Sequence, residues 1–532
     1  MSISNLDWLV IVFFIVFIIW LGVKLGKSNE TKDDYFKGGR TFKWWAIGLS
    51  VIATQVSAVT FIGAPGWAYQ EGLFSIVLNL NIPLVMWFIG GVLAPFFYNS
   101  GVTSVYEYLE ERFGPLTRTL MSVAFIFKMI MVVGTLVYAP ALVLSSITIL
   151  PLNATIAIMT VISIAYTILG GIKAVIWTDV IQMLILWAGL ILSFIIVIRT
   201  VPYNFMEVMS LASDAGRLSA LDFNLSLSTP NTVWAGLMGG TILHLSYFGV
   251  DQAQVQRVLT AKSMKNVKYS LWFSGVVALF QMFIFLLMGS ILYVYFEGQA
   301  FSNPNNVFLD FAINNLPSGV LGLIVAAIFA SAMSSIDSAL NSISAVFVKD
   351  IYEKWINPEA KSNDSLRVSR IITLVWGIFI AFFAFLVSNT ELSILEAISK
   401  YGSYMLGSML GVFILGFYTK KANQIGSSIG LISGILVVAQ VAQNTEVFWM
   451  WNNLIGVTVT LVIGYLISLI TGGEEKEIGK LTIKGQKQYF EEENLEESKD
   501  NIYIMPGKFE KASYALLAYF VIAFILLYLL GA

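Results

Sequence analysis

The stretch Ser331-Ala-Met-Ser-Ser-Ile-Asp-Ser-Ala-Leu-Asn-Ser342 lies inside an apolar run, residues 320–348, long enough to cross a bilayer. At helical spacing Ser331, Ser334, Ser335, Ser338, Asn341 and Ser342 fall on one face, with Asp337 at its flank. Hydroxyl oxygens beside a carboxylate can line a site for a hard cation. Ionisable groups in hydrocarbon point to a cavity, a partner or an ion path. A small-residue face that packs helices closely, its hydroxyls bonded back to helix carbonyls, gives the same pattern. Asp337, and the helices this stretch must sit among, favour the cation site.

Those helices are written in the composition. The chain has 532 residues, 57% hydrophobic and 12% charged, which identifies a polytopic membrane protein. Cysteine is absent and His244 is the lone histidine, so disulfides, thiolate metal sites, multi-histidine clusters and most histidine-centred triads are excluded. No basic cluster suggests nucleic acid. The first apolar run, Trp8–Val23, has neither a basic region before it nor a small-residue cleavage site, and is read as a retained helix.

Apolar windows of about 20 residues recur about fourteen times. They are 7–26, 44–68, 73–99, 119–149, 152–170, 176–199, 232–250, 269–297, 317–348, 370–388, 393–418, 425–443, 447–470 and 511–531. With both termini outside, the lysines and arginines collect in the inside loops. Only Arg199 and Arg217 lie in outside ones. The positive-inside rule requires that asymmetry, and shifting the count by one helix spoils it. The expected location is the plasma (inner, cytoplasmic) membrane. Residues 200–231 form an outside loop and 471–510 a charged cytoplasmic loop; both read as solvated connectors.

Two windows are interrupted. In 44–68, Ala53-Thr-Gln-Val-Ser57 is at mid-depth, with Gly63, Pro65 and Gly66 further out. In 232–250, Gly236, Gly239, Gly240, His244, Ser246 and Gly249 break the apolar face. These windows open two five-helix groups, 44–199 and 232–418, which run with opposite orientation because five is odd. Helix 7–26 precedes the groups; two helices in 425–470 and a C-terminal one at 511–531 follow. Paired interrupted helices at matching positions of inverted halves point to a midplane substrate site in a secondary transporter.

The chain resembles the sodium:solute symporter family. The resemblance is carried by Asp33-Asp-Tyr-Phe-Lys-Gly-Gly39, Thr103-Ser-Val-Tyr-Glu-Tyr-Leu-Glu110, the run from Gly170 through Trp177-Thr-Asp179 to Gln182, Gln252-Ala-Gln-Val-Gln-Arg257 and Ala332–Ser342. It implies an all-α fold with a LeuT-type five-plus-five inverted-repeat core. It also implies a sodium ion held by the carbonyls of Ala53, Val56 and Ser331 and the hydroxyls of Ser334 and Ser335. Five neutral oxygens suit a monovalent cation. Some members carry a second sodium, which here maps onto Asp179, Ser334, Asp337 and Ser338. Asp337 departs from the Ser or Thr usual there. It can hold the second sodium, titrate as a proton site, or pair with Lys128 or Lys400. Asp179 beside Thr178 also fits a helix N-terminal acid.

The same resemblance places the solute among Gln55, Thr60, Asn79, His244, Tyr247, Gln281 and Ser399, with Tyr247 capping the pocket from inside. Val132 stands near the position where the sialic acid symporter has a carboxylate-clamping arginine; Lys128 is one turn away, free to pair with an acid instead. Glu396 and Lys400 are set to neutralise each other. Tyr138-Ala-Pro-Ala-Leu142 and 252–257 lean toward the monocarboxylate and multivitamin branch. The expectation is a secondary symporter, not an enzyme, that couples inward sodium movement to uptake of a small polar organic solute (sugar, sugar acid or monocarboxylate) by alternating access. The rivals are proton coupling through Asp337 or His244, a membrane-bound enzyme, and a sensor. The sequence names neither the solute nor an oligomeric state.

Overall fold

In a bilayer every backbone N–H and C=O must be satisfied within the protein, so apolar stretches of this length fold as helices. A computed structural model describes residues 4–26, 41–56, 58–100, 102, 104–148, 150–388, 394–472 and 479–531. Among these, eleven helices are long and apolar enough to cross a membrane. The sequence gives about fourteen windows, and the three that differ are instructive.

After α1 (Asn5–Gly26), window 44–68 divides into α2 (Trp44–Gln55) and α3 (Ala58–Glu71). The chain leaves the helix at Val56, which is extended (φ −82°, ψ 112°). The Gly63–Gly66 segment lies inside α3 and breaks nothing. Its small residues serve packing: a Cβ on Gly66 would come within 2.1 Å of the Pro304 carbonyl oxygen. A 3₁₀ turn at Gly72–Ile76 then leads into α4 (Val77–Leu80) and α5 (Ile82–Phe88); a π-helical turn at Ile89–Leu93 joins α6 (Ala94–Ser100). Thr60–Ser100 thereby forms one apolar helical run.

α7 (Val105–Arg112) and α8 (Pro115–Ile147) follow. α9 (Leu152–Thr200) is helical throughout its 49 residues, where the sequence separates 152–170 from 176–199. At 1.5 Å per residue this is about 74 Å of helix, of which Ile172–Thr200 is long and apolar enough to cross a membrane and Leu152–Ala165 is a shorter apolar stretch.

The loop at 200–231 contains α10 (Phe205–Asp214), started by a reciprocal capping box between Asn204 and Glu207. A π-helical turn, Ala235–Gly240, runs into α11 (Thr241–Gly249). The break comes after the glycines, at Val250 and Asp251, where Asp251 (ψ 126°) caps α12 (Gln252–Leu259) through the Ala253 N–H at 2.9 Å. Positions 252–257 are thus a buried half-helix and not the cytoplasmic loop their charge suggests.

α13 (Met264–Tyr295), α14 (Asn306–Asn315) and α15 (Val320–Val346) come next, α15 continuing as a π-helix through Phe347–Ile356. α16 (Ser362–Ser388), α17 (Ile394–Tyr418), α18 (Gln424–Asn444) and α19 (Trp451–Ile470) complete the long helices before the C-terminal one.

The segment after α19 is folded, contrary to the connector expected. α20 (Ile483–Glu492) and a hairpin of β1 (Ser498–Lys499) and β2 (Ile502–Tyr503) precede α21 (Tyr514–Gly531). Ile483 and Phe490 are buried, Phe509 stacks on Trp87 at 4.1 Å, and buried Lys268 pairs with Glu510 at 2.6 Å. The acidic runs conceal an apolar set that packs beneath α5 and α6.

Candidate cation and solute site

The two breaks face one another. Unwinding at Val56 frees the carbonyls of the last turn of α2, and the Tyr247 hydroxyl of α11 donates to one of them, Thr54 O, at 3.2 Å. α15 lies alongside with its hydroxyl face inward: Ser334, Ser335, Asp337 and Ser338 are all buried.

Asp179 is fully buried in the middle of α9. Its Oδ1 accepts from Ser334 Oγ at 2.6 Å, and its Oδ2 accepts from Ser50 Oγ at 2.5 Å and an Arg257 terminal nitrogen at 3.3 Å. A helix-capping role is therefore excluded for Asp179: its carboxylate serves α2, α12 and α15. Thr178 instead bonds back to Ala174 O at 2.9 Å. Thr178 Oγ1 and Ser338 Oγ each lie 3.3 Å from the Asp337 carboxylate, so within the expected second cation position Asp179 meets Ser334 and Asp337 meets its neighbour Ser338.

For the first position, Ala53 and Val56 stand at the end of α2, opposite Ser334 and Ser335. Ser331 belongs to the same helix, and its side chain lies outside the described residues, as do those of Ser399, Glu396 and Lys400.

Beside these positions is a cavity of about 280 Å³ lined by Gln55, Thr60, Asn79, His244, Tyr247 and Gln281, six of the seven expected solute residues. Val56, Ser335 and Ser338 share its wall. Gln55 Nε2 donates to Asn79 Oδ1 at 3.1 Å, and Trp187 Nε1 to Gln281 Oε1 at 3.0 Å. His244 Nδ1 meets Asn81 Oδ1 at 2.7 Å. The Asn81 amide nitrogen already donates to Leu78 and Gly236 carbonyls. His244 is therefore the donor in that pair, and its Nε2 is left as an acceptor.

Sequence reasoning missed three partners. Arg257, counted as a loop charge, is buried against Ser50, Asp179 and Ser338. Asn81 sets the tautomer of His244. Lys128, on the cavity wall, pairs with Asp251 at the α11–α12 break rather than with Asp337. The amphipathic spacing of Val255, Val258 and Leu259 signals a helix at 252–259, but the positive-inside count assigns that stretch to a loop.

The sequence matches the sodium:solute symporter family over residues 35–434. The chain belongs to that family. The sodium/sialic acid symporter NanT of Aliivibrio fischeri is 33% identical over 477 residues, 87% of this chain and 93% of that protein. Sodium-coupled monocarboxylate transporter 1 of Homo sapiens is 29% identical over 520 residues, 85% of this chain and 84% of its own. A solved structure, the substrate-bound outward-open state of a Na⁺-coupled sialic acid symporter, superposes with a TM-score of 0.82 at 28% identity, covering 89% of this chain and 100% of that one.

As a sodium:solute symporter, the protein is a multi-pass membrane transporter that couples sodium to a small-molecule solute, and it is not an enzyme. Its fold is the all-α LeuT type that the resemblance implies. The two breaks in this symporter occur at Val56 and Val250.

Proposed function

We propose that this symporter binds sodium through the carbonyls of Ala53, Val56 and Ser331 and the hydroxyls of Ser334 and Ser335. The solute occupies the cavity bounded by Gln55, Thr60, Asn79, His244, Tyr247 and Gln281, with Ser399 a further contact. It is a small polar organic molecule: a sugar, sugar acid or monocarboxylate.

One observation carries this reading. Val56 and Ser335, assigned to sodium, line the same cavity as the solute residues. An ion that ties α2 to α15 fixes the wall against which the solute binds, so the two binding free energies are linked, and linkage is reciprocal. Inward release then requires Tyr247 to leave Thr54 and sodium to pass toward Asp179.

The repeats are assigned to 44–199 and 232–418, in the plasma membrane with both termini outside. The positive-inside asymmetry supports this orientation, and two contacts agree with it. Asp7 at the start of α1 bonds Gly319 at the start of α15, two helix ends that this orientation assigns to the same side. Tyr108 of α7 donates to Leu481 O at 2.9 Å, which joins two segments both assigned to the inside.

The test is thermal stability of the purified protein against hexoses, N-acetylated sugars, sialic acid, monocarboxylates, inositol and amino acids, in sodium and in choline. A solute that stabilises only in sodium supports the linked site and names the class. Stabilisation that ignores sodium overturns the shared wall.

A further inference from the structure

The folded segment 479–510 lies beyond residues 35–434, over which the sequence matches the family. Its later part is held by α5, α6 and α13. The Gly507 N–H donates to Gly91 O at 2.8 Å, in the π-helical turn that joins α5 to α6. Phe509 stacks on Trp87, and its ring fills the space that a Cβ on Gly91 would need. Glu510 accepts from Lys268, near the start of α13, at 2.6 Å, and Asn99 of α6 donates to Ile504 O at 2.8 Å.

Its earlier part reaches a different group of helices. Tyr108 of α7 donates to Leu481 O at 2.9 Å, in a 3₁₀ turn at Gly479–Leu481. α7 is fastened to the end of α17 by Arg112, which donates to the carbonyls of Gly416 at 3.3 Å, Ala422 at 3.1 Å and Thr419 at 2.6 Å. Glu110 and Asp350, both paired with Arg118, tie α7 to α8 and to the π-helical end of α15. Between the two groups lies a seam of rings. Phe96 and Phe97 of α6 meet Tyr108, Phe413 and Phe417 edge-on, with centroids 4.9–6.2 Å apart. Apolar contact is non-directional, so it resists sliding less than a hydrogen bond does. α20 crosses this seam: Gln486 Nε2 donates to Phe96 O and Ser100 Oγ, each at 3.1 Å, on the α6 side.

The groups on either side of the seam also flank the solute cavity, α13 through Gln281 and Met282 and α17 through Ser403 and Leu406. Alternating access in secondary transporters is largely the rigid-body movement of one group of helices against another around the site. We propose that α20 and the turn before it form a latch across the seam. It fastens α6 to α7 and α17, and it lets go when the two groups move against each other. The strap stays with α5, α6 and α13, where its bonds are many, and parts from α7, where Tyr108 holds it.

The chain has no cysteine, so a pair of spin labels can be placed without altering other thiols. Tyr98 of α6 and Tyr418 at the end of α17 are exposed on the two sides of the seam. Double electron–electron resonance on the purified full chain, labelled at Tyr98→Cys and Tyr418→Cys, reads the separation. In Tyr108→Phe the ring contacts remain and the bond to Leu481 is lost. The population at longer separation should rise about fivefold relative to the shorter one, the weight of one ordinary hydrogen bond. Gln486→Leu cuts the same bridge on its other side and should give the same rise. The two bonds act in series, so the double variant moves no further than either single one. An unchanged distribution in the single variants, or rises that multiply in the double variant, overturns the latch. Should Tyr108→Phe fail to fold, Gln486→Leu decides alone: a rise supports the latch and an unchanged distribution overturns it. The readout needs neither sodium nor a solute, so its failure is distinct from failure of the binding site proposed above.

Discussion

Asp7, in α1, caps α15, the helix of Ser334 and Ser335: its Oδ1 accepts the Gly322 N–H at 2.6 Å. The same oxygen accepts from Gly319 at 2.7 Å. The first turn of any helix leaves N–H groups without helical partners, and here a carboxylate from another helix supplies them. Gly322 is small for the same reason, since a Cβ there would lie 2.6 Å from Asp7 Cα. Asp7→Ala is expected to destabilise the protein by about 1–2 kcal/mol, with Asp7→Asn retaining part of that. Denaturation monitored by fluorescence reads the effect, and equal stability for Asp7→Ala and wild type refutes it.

Ser335 contributes a hydroxyl to the proposed sodium site and also reaches the cavity wall. Ser335→Ala removes one oxygen ligand of five, so the sodium concentration for half-maximal uptake should rise about tenfold, an oxygen-to-cation contact being worth about 1.5 kcal/mol. The order of preference among solutes should stay as in wild type. A reordered preference with unchanged sodium dependence would move Ser335 from the ion to the solute.

How far the sequence reaches is clear from particular residues. Asp179 and Val56 were reached through the family resemblance, whereas the hydroxyl face of α15 was legible because polar groups in hydrocarbon stand out against their neighbours. Arg257 was not, because charge placed near an apolar window reads as a loop, while a buried ion pair is visible only when Asp179 is known to face it. The helix at 252–259 was lost for the same reason. The segment 479–513 misled in the opposite sense. Its glutamates and lysines dominate the composition, and the few residues that matter for packing, Phe490 and Phe509 among them, are hidden between them.

Pro65 shows that a proline in a membrane helix need not mark the functional break. A Cβ on Gly289 of α13 would lie 2.1 Å from the Pro65 carbonyl oxygen, so α3 and α13 touch backbone to backbone. Gly289→Ala should force the helices apart and destabilise by about 1–3 kcal/mol. The sodium dependence of the folded fraction should not change, because Pro65 lies about two helical turns into α3, beyond the break at Val56. Thermal melts with and without sodium separate the two effects.

Glu110 lies on α7 between Arg118, at 2.6 Å, and Lys354. Burial works to raise its pKa, but the hydrogen bonds from Lys354 and Arg118 outweigh it and hold the carboxyl below its ordinary value of 4.5. A lowered pKa means that the unfolded chain takes up this proton first. The contribution is therefore complete above the unfolded value and disappears as pH falls through the folded one. Wild type should be more stable than Glu110→Gln at neutral pH, with the difference shrinking as the pH is lowered below about 4.5. A difference that is constant across pH excludes the ion pairs as its source.

Lys128 and Asp251 test what the pocket recognises. Lys128 lies on the cavity wall with 3% of its side chain exposed, and its partner Asp251 is fully buried. Removing either charge alone leaves the other stranded, at a cost of about 3–5 kcal/mol. Lys128→Met with Asp251→Asn removes both and keeps the amide oxygen that caps α12, so most of that loss should return. Uptake decides the rest. If Lys128 is only the counter-ion of Asp251, the double variant transports with its solute preference intact. If stability returns and uptake of carboxylate solutes alone is lost, Lys128 grips the solute, and the substrate is an acid.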